Sequence, residues 1–476
     1  MKESIVLYPA PVFHHMVSMV ELGKLILRHH HDLSITILVP TGALDAAATS
    51  SYIHQLSQTD LPISFFTLRS IQFPQSLPQN RSAAAFQSIQ LNAEAVVDAL
   101  GTISATSKVL ALITSAVHSS YHPHIPTYYY FSSCASTLAF FLHLPTIHNQ
   151  TSKSFKDLND TVFHLPGLPP IKASDMPDPV LDRNQPPYHY FIHYASCLPN
   201  SKGFIVNTFE ALESQAIKAI TDGTCVLDGG TPPIYHIGPL ITDSKVRAIG
   251  YEDLSTECST WLDAQPSQSV VFLCFGSKGV LSEVQLKELA MGLERSSHRF
   301  LWVVRNPKNL EMIPDLEVLL PKGFLERTKD RGLVVKSWAP QSAILSHESV
   351  GGFVTHCGWN SVVEAVSYGV PMVAWPLYAE QKMNSVVLVE EMRLAIALEK
   401  VAESSSSLSS SSSSTKEEMV SAEELKKKVR ELMGQEGQGL RERSLAMKSM
   451  AMAAWSMDGS SLSSLSKMVA SWKQGH

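Results

Sequence analysis

Short apolar runs alternate with longer segments of helical period along most of this 476-residue chain, and the alternation restricts the fold more than any other feature. In the first half, 5–8 (IVLY), 34–39 (SITILV), 63–67 (ISFFT), 109–113 (VLALI) and 125–130 (IPTYYY) read as strands. Between them lie a helix over 17–31, with Val17, Val20, Leu22, Leu25 and Ile26 apolar, and an alanine-rich helix over 82–100. Strands 203–207 and 235–238 and helices 132–146, 188–197 and 210–220 follow. In the second half strands are expected at 269–275 (SVVFLCF), 300–304, 333–336, 350–355 and 370–375, with a helix over 283–295. Strand and helix in alternation specify an α/β fold whose parallel sheets are covered on both faces. Ligands of such sheets bind beyond the carboxyl ends of the strands, here the loops after Tyr8, Val39, Thr67 and Ile113.

The densest chemistry lies in 338–381, WAPQSAILSHESVGGFVTHCGWNSVVEAVSYGVPMVAWPLYAEQ. Its strand 350–355 leads through His356, Cys357, Gly358 and Trp359 into a helix for which Asn360 and Ser361 are good starters, with Glu364 in the capping-box position. A strand that turns through glycine onto a helix N-terminus leaves backbone N–H groups pointing outward, where the helix dipole favours a phosphate. His356, Asn360 and Ser361 can donate to phosphate oxygens, and Glu364, on the same face, can accept from sugar hydroxyls. Trp338 offers a flat face to a base, while Glu380 and Gln381 add a carboxylate and an amide. Singly, each has a structural explanation, Trp338 as core and Ser361 with Glu364 as a cap. Their combination points to a phosphorylated, hydroxyl-rich ligand.

Residues 338–381 resemble, almost position for position and in length, the plant secondary product glycosyltransferase signature of the family 1 UDP-sugar glycosyltransferases. The resemblance implies a GT-B fold, two Rossmann-like domains facing across a cleft, with UDP-glucose as donor and no metal. Trp338 would stack on uracil, the Ala339 backbone would bond the base, and Gln341 and Glu364 would hold the ribose. His356, Gly358, Trp359, Asn360 and Ser361 would meet the diphosphate, and Glu380 and Gln381 the sugar hydroxyls. Trp359 and Gln381 are the types found in glucose users, whereas Glu380 replaces the commoner Asp. The same resemblance places Ser277, in a Gly-Ser turn after 269–275, on the diphosphate, Ser132 on the donor sugar, and Ala379 with His15 against the acceptor. VLYPAP, YYYFSS, FLCFGS and FLWVVRNP extend the likeness over the whole chain, toward flavonoid, chalcone and anthocyanidin glucosyltransferases.

A histidine at a first strand–helix junction suits a general base, its ordinary pKa lying near operating pH; it also suits a solvated or capping role. The family carries its catalytic histidine in this loop, and His15 takes that place, with His14 where glycine is common. The family's partner Asp after the fourth strand is missing: Ser115 occupies the slot, and residues 114–124 leave room for little helix before the next strand. Serine carries no charge to stabilise an imidazolium. Ser115 and His118 are candidate hydrogen-bonding substitutes, or ordinary loop residues.

The net charge of −6 offers no bulk basic surface for nucleic acid, and six cysteines without any CxxC suit a reducing compartment without structural zinc. No uninterrupted apolar stretch approaches the roughly 18 residues of a membrane span, so a cytoplasmic protein without stable membrane insertion is expected. The expected organisation is an acceptor-binding domain over 1–240, a linker at 241–255 and a UDP-sugar domain over 256–455, followed by a helix at 456–476 that packs back on the first domain. Serines dominate 403–416, which cannot pack a core and reads as a disordered loop. Helices 421–433, 440–455 and 461–472 end the chain, with Met447, Met450 and Met452 read as packing. The expectation is a monomeric, inverting glucosyltransferase with UDP-glucose and a flavonoid-like phenol as its small-molecule partners, and His15 as base. The missing Asp keeps two alternatives: a C-glucosyltransferase, or a UDP-sugar-binding protein with little turnover.

Overall fold

The computed structural model describes residues 2–474 except 43, 60–61, 72–80, 117–123, 159, 228–229, 242–251, 400 and 403–417. The expectations for the serine-rich loop and for His118 fall outside the described residues, as does most of the 241–255 segment, whose last residues already belong to a helix, Glu252–Asp263. The chain divides into two compact units, Met1–Thr242 with Ala451–His476, and Asp243–Met450.

The first unit is built on strands β1 (Lys2–Tyr8), β2 (Ser34–Val39), β3 (Ile63–Thr67), β4 (Ser107–Thr114), β5 (Thr127–Phe131), β6 (Phe204–Val206) and β7 (Ile234–His236). They form one parallel sheet in the order β3-β2-β1-β4-β5-β6-β7. β1 is hydrophobic from Ile5 to Tyr8 because it lies at the centre of a two-sided sheet, and each such buried side chain contributes about 1.5–3 kcal/mol. The chain leaves β1 toward β2 and β3, then returns to the other side of β1 at β4. The carboxyl ends of β1 and β4 are therefore the place where the connections diverge and a ligand can enter.

Helix α1 (Phe13–His29) starts four residues before the expected 17, so His14 and His15 lie on its first turn and not in a loop. The reason is tertiary. Val12, extended at φ −134°, has no capping side chain, and the Phe13 N–H is taken by Asp45 Oδ2 at 3.2 Å, just ahead of α2 (Ala46–Leu56). Helix α3 (Arg81–Ser104) precedes β4. Helix α4 (Ala135–Gln150) opens three residues later than expected, leaving Ser132 and Ser133 ahead of it. Its end is satisfied by Cys134 Sγ, which accepts from the Thr137 N–H, and by the buried Glu213 carboxylate, which accepts from the Ala135 and Ser136 amides at 2.9 Å. Helix α5 (Pro186–Cys197) carries the aromatic run.

The last helix, Ser460–Gln474, completes this unit. Trp472 is fully buried, Ser471 bonds Tyr128 Oη at 2.9 Å, and Ser461 Oγ donates to the Gly238 carbonyl. Trp455 Nε1 donates to the Pro239 carbonyl at 3.1 Å. The methionines ahead of it depart from expectation: Met450 and Met452 are exposed, Met452 by 61%, and belong to the outer face of the helix Gln438–Ala453, not to a core.

The second unit has strands β8 (Val270–Cys274), β9 (Arg299–Val304), β10 (Gly332–Lys336), β11 (Val350–Thr355), β12 (Met372–Ala374) and β13 (Ala395–Ala397), parallel in the order β10-β9-β8-β11-β12-β13. Leu286, Leu289 and Leu293 of the helix Glu283–Ser296, and Leu425, Val429 and Leu432 of Ala422–Met433, pack on Val271, Leu273, Trp302 and Val354. The direction reverses between β8 and β11, so their carboxyl ends lie side by side, with Cys274 opposite Thr355. Among the described residues no helix is long and apolar enough to cross a membrane, and all six cysteines are buried and unbridged.

Candidate active site

In the first unit the reversal point holds His15 and Ser115. Ser115 follows β4, its N–H donates to the Tyr8 carbonyl at the end of β1 (3.2 Å), and its Oγ accepts from the Ala10 N–H at 2.9 Å. The same oxygen lies 2.9 Å from His15 Nδ1. The imidazole is half-buried, with the His14 ring beside it at 4.5 Å between centroids. A histidine fixed through Nδ1 turns Nε2 outward, the arrangement a general base needs, provided that the Nδ1 proton is the one shared with serine.

Aromatic side chains meet between helices α3, α4 and α5. Phe86 of α3 stacks on Tyr190 at 5.2 Å and meets Phe191 edge-on at 5.1 Å; Phe191 in turn stacks on Phe141 of α4, which meets Tyr194 edge-on. Phe86, Tyr190, Phe191 and Tyr194 are only partly buried, which a pure core cluster would not require. Ser132 sits half-buried between β5 and α4.

In the second unit the reversal point is a turn packed around one imidazole. Cys357 adopts φ +63°, which swings the chain from β11 into the helix Trp359–Tyr368; its N–H bonds Thr355 Oγ1 at 3.2 Å and its carbonyl accepts from Asn384 Nδ2 at 3.0 Å. Gly276, at φ +74° after β8, and Gly358 both press on His356: a Cβ on Gly276 would come within 2.6 Å of Nε2, and one on Gly358 closer still. His356 is 6% exposed and its Nδ1 has no hydrogen-bond partner. Burial lowers its pKa to about 4, so the ring is neutral near pH 7 and binds by a hydrogen bond, not by charge.

The helix beyond is not closed by the expected capping box. Its N-cap is Gly358, no side chain caps it, and Ser361 is its third residue. Ser361 Oγ and Glu364 Oε2 turn instead toward Gln341, whose Nε2 donates to them at 2.9 and 2.7 Å. The helix thus begins directly on the glycine turn, and a helix N-terminus is where N–H groups outside the helical ladder favour an anion. The Trp359 indole is buried at 3% exposure, which leaves its backbone as the group able to face a phosphate. Ser277 is exposed beside Gly276.

Trp338 is half-buried after Ser337, which takes φ +66°, and Ala339 is buried next to it. Beyond β12, Ala379 at φ +59° and Glu380 precede the helix Gln381–Val386. Gln381 is 3% exposed, and its Oε1 accepts from the Leu377 and Tyr378 amides, both at 3.0 Å. Its carbonyl thus shapes the 377–381 loop.

The profile of the UDP-glucoronosyl and UDP-glucosyl transferase family matches residues 8–432. The chain belongs to that family. It is 49% identical to UDP-glycosyltransferase 88F3 of Pyrus communis over 496 aligned residues, covering 99% of this chain and all of that one. It is 48% identical over 498 residues to phloretin 2'-O-glucosyltransferase of Pyrus communis, with 99% and 100% covered. The structure of Phytolacca americana UGT2 complexed with UDP-2fluoro-glucose and pterostilbene superposes with a TM-score of 0.84 at 36% identity, over 99% of this chain and 100% of that one. The fold is GT-B, and the protein is a UDP-glycosyltransferase.

In this transferase several residues that position the site escaped sequence reasoning. Asp45 and the helix it precedes were not singled out in the sequence, and only the fold brings Asp45 to α1. Glu213 looks like a surface acid yet is fully buried at the start of α4; burial raises its pKa while its bonds to Ala135 and Ser136 act the other way. Asn384 lies past the signature and shows no motif. Gly276 carried a signal, a glycine directly after an apolar strand, but that it must be glycine for the sake of His356 is a tertiary fact.

Proposed function

We propose that the chain is a cytosolic, inverting glucosyltransferase that moves glucose from UDP-glucose to a flavonoid-like phenol, with His15 as general base. The observation that carries this reading is His15 held through Nδ1 by Ser115, 2.9 Å away, where β1 and β4 end. His15 Nε2 takes the phenolic proton as the phenol oxygen attacks the anomeric carbon; the bond to the UDP oxygen breaks in the same displacement and the configuration inverts. No metal takes part: the developing charge on UDP meets the first-turn amides of Trp359, Asn360 and Ser361, Gly358, Ser277 and neutral His356. Trp338 stacks on uracil beside the Ala339 backbone, and Gln341 and Glu364, already bonded to each other, take the ribose hydroxyls. Glu380, the Gln381 amide and Ser132 meet the glucose, and Ala379 with His15 meets the acceptor.

The phenol class is supported by the names of the relatives, one a phloretin glucosyltransferase and one solved with pterostilbene, and by the partly buried aromatics Phe86, Tyr190 and Phe191. A phenol also suits a base without a carboxylate partner, since its pKa of about 10 is far below an alcohol's. The protein is treated as a monomer in this reading. Turnover of UDP-glucose against a panel of phenols, with the anomeric configuration and acid stability of the product determined, tests it. Inverted, acid-labile glucosides from the parent and none from His15→Ala are expected. An acid-stable product identifies carbon attack. Tight UDP binding without transfer supports the second reading, a donor-binding protein, which the uncharged Ser115 motivates.

A further inference from the structure

Asp45 occupies the N-cap position of α2, where an aspartate ordinarily turns its carboxylate onto its own helix. Here no side chain caps α2. Asp45 Oδ2 instead accepts from the Phe13 N–H, 3.2 Å away, on the first turn of α1, whose own N-cap residue Val12 has no polar side-chain atom. The placement is held on both sides. The Leu44 N–H donates to the Pro11 carbonyl at 3.0 Å, and buried Asn92 of α3 binds Thr41 ahead of it, donating to the Thr41 carbonyl (3.1 Å) and accepting from Thr41 Oγ1 (3.2 Å).

The consequence falls on His15, two residues along α1 from Phe13, a rise of about 3 Å. The positive end of a helix opposes protonation of an imidazole in its first turn. Ser115, bonded to Nδ1, brings no charge against that field. We propose that Asp45 is a positioning residue for the base: from outside α1 it closes the helix start and supplies the negative charge that Ser115 cannot, so that His15 holds its proton during transfer. The proposal rests on the role of His15 given above.

The other titratable groups around His15 do not take that part. On α1 itself stand His14, with its ring beside that of His15, and Glu21, which is paired with Lys24 at 2.8 Å. From the sheet come Tyr8 of β1 and Tyr130 of β5, both kept neutral by burial, and from α2 comes Tyr52, whose ring meets Phe13 at 5.7 Å. Among the described residues that leaves Asp45 as the carboxylate bonded to the first turn of α1.

Asp45→Asn keeps an oxygen for the Phe13 amide and removes the charge; Asp45→Ala removes both. The full-length protein, labelled at histidine Cε1 and assigned with His15→Gln, is titrated by NMR without ligand. kcat and KM for UDP-glucose are then measured with a phenol acceptor. In Asp45→Asn, His15 is expected to titrate about half a pH unit lower, with kcat reduced about three-fold and KM for UDP-glucose unchanged. Asp45→Ala is expected to show the same shift with a lowered unfolding temperature. A His15 titration that does not move in Asp45→Asn, with the variant folded, overturns the proposal. Absence of transfer in the parent refutes the transferase reading instead, and the NMR titration still decides the place of Asp45.

Discussion

A hydroxyl where a carboxylate could stand separates this site from one with a full acid–base pair. Ser115 Oγ already accepts from the Ala10 N–H, and toward His15 it can either accept the Nδ1 proton or donate its own. In the second state the imidazole proton moves to Nε2 and the base is blocked. A carboxylate can only accept, so it fixes the useful tautomer and also offsets the imidazolium charge. Ser115→Asp is therefore expected to raise kcat by roughly ten-fold in steady-state assays with a phenol; a slower variant would show that the slot lacks something other than charge. Ser115→Ala should lower kcat by about ten-fold or more while UDP binds as before. Both residues were singled out in the sequence by resemblance, His15 in the loop after the first apolar run and Ser115 in the slot of the family's Asp. Their bond was not, since it joins positions 15 and 115.

At the scale of elements, the turn around His356 depends on two glycines for different reasons. Gly276 needs its left-handed backbone as well as the space beside His356, whereas Gly358 has ordinary extended backbone and needs the space alone. Gly358→Ala is expected to displace the imidazole and weaken UDP binding about ten-fold or more by calorimetry, with thermal unfolding lowered by no more than about 1–3 kcal/mol. Gly276→Ala adds backbone strain of about 1–2 kcal/mol and should be the less stable of the two. Sequence pattern located this turn, and its helix start to within three residues, because a strand, a glycine and an amphipathic helix follow one another locally. It misread how the helix begins: Ser361 and Glu364 have the spacing of a capping box, yet Gln341, from a different helix, outcompetes the local bond. The start of α1 failed in the same way, with Asp45 acting from 32 positions away. Helix ends are set by whichever donor or acceptor the fold delivers, and local spacing reports only one candidate.

For the whole molecule, His356 couples the proposed donor site to stability. Its pKa near 4 in the folded protein, against about 6.5 unfolded, means that the unfolded chain binds the extra proton between those values. Stability is complete above about pH 6.5 and falls as pH drops toward 4, by up to about 3 kcal/mol from this residue. Chemical unfolding of the ligand-free protein from pH 7 to 4 should show that slope, and His356→Gln should flatten it by about one proton. The α/β class and nearly all of the strands were legible in the sequence, since parallel sheets demand continuous apolar runs. The core to which the last helix belongs was not legible in local pattern, for nothing in the period of 460–474 says which one it completes.

That membership governs the order in which the protein can be made. The first unit contains residue 1 but is closed by Trp472 and by Ser471 on Tyr128, so a nascent chain cannot finish it until those residues have been made. Residues 243–450 lie in between, a delay of roughly 10–40 s at ordinary elongation rates. The second unit is continuous and can assemble on the ribosome while the first waits with one flank of its sheet uncovered. Chaperone demand should thus fall on the half synthesised first, and a stop codon ahead of Ser471 should harm the first unit while leaving the second intact.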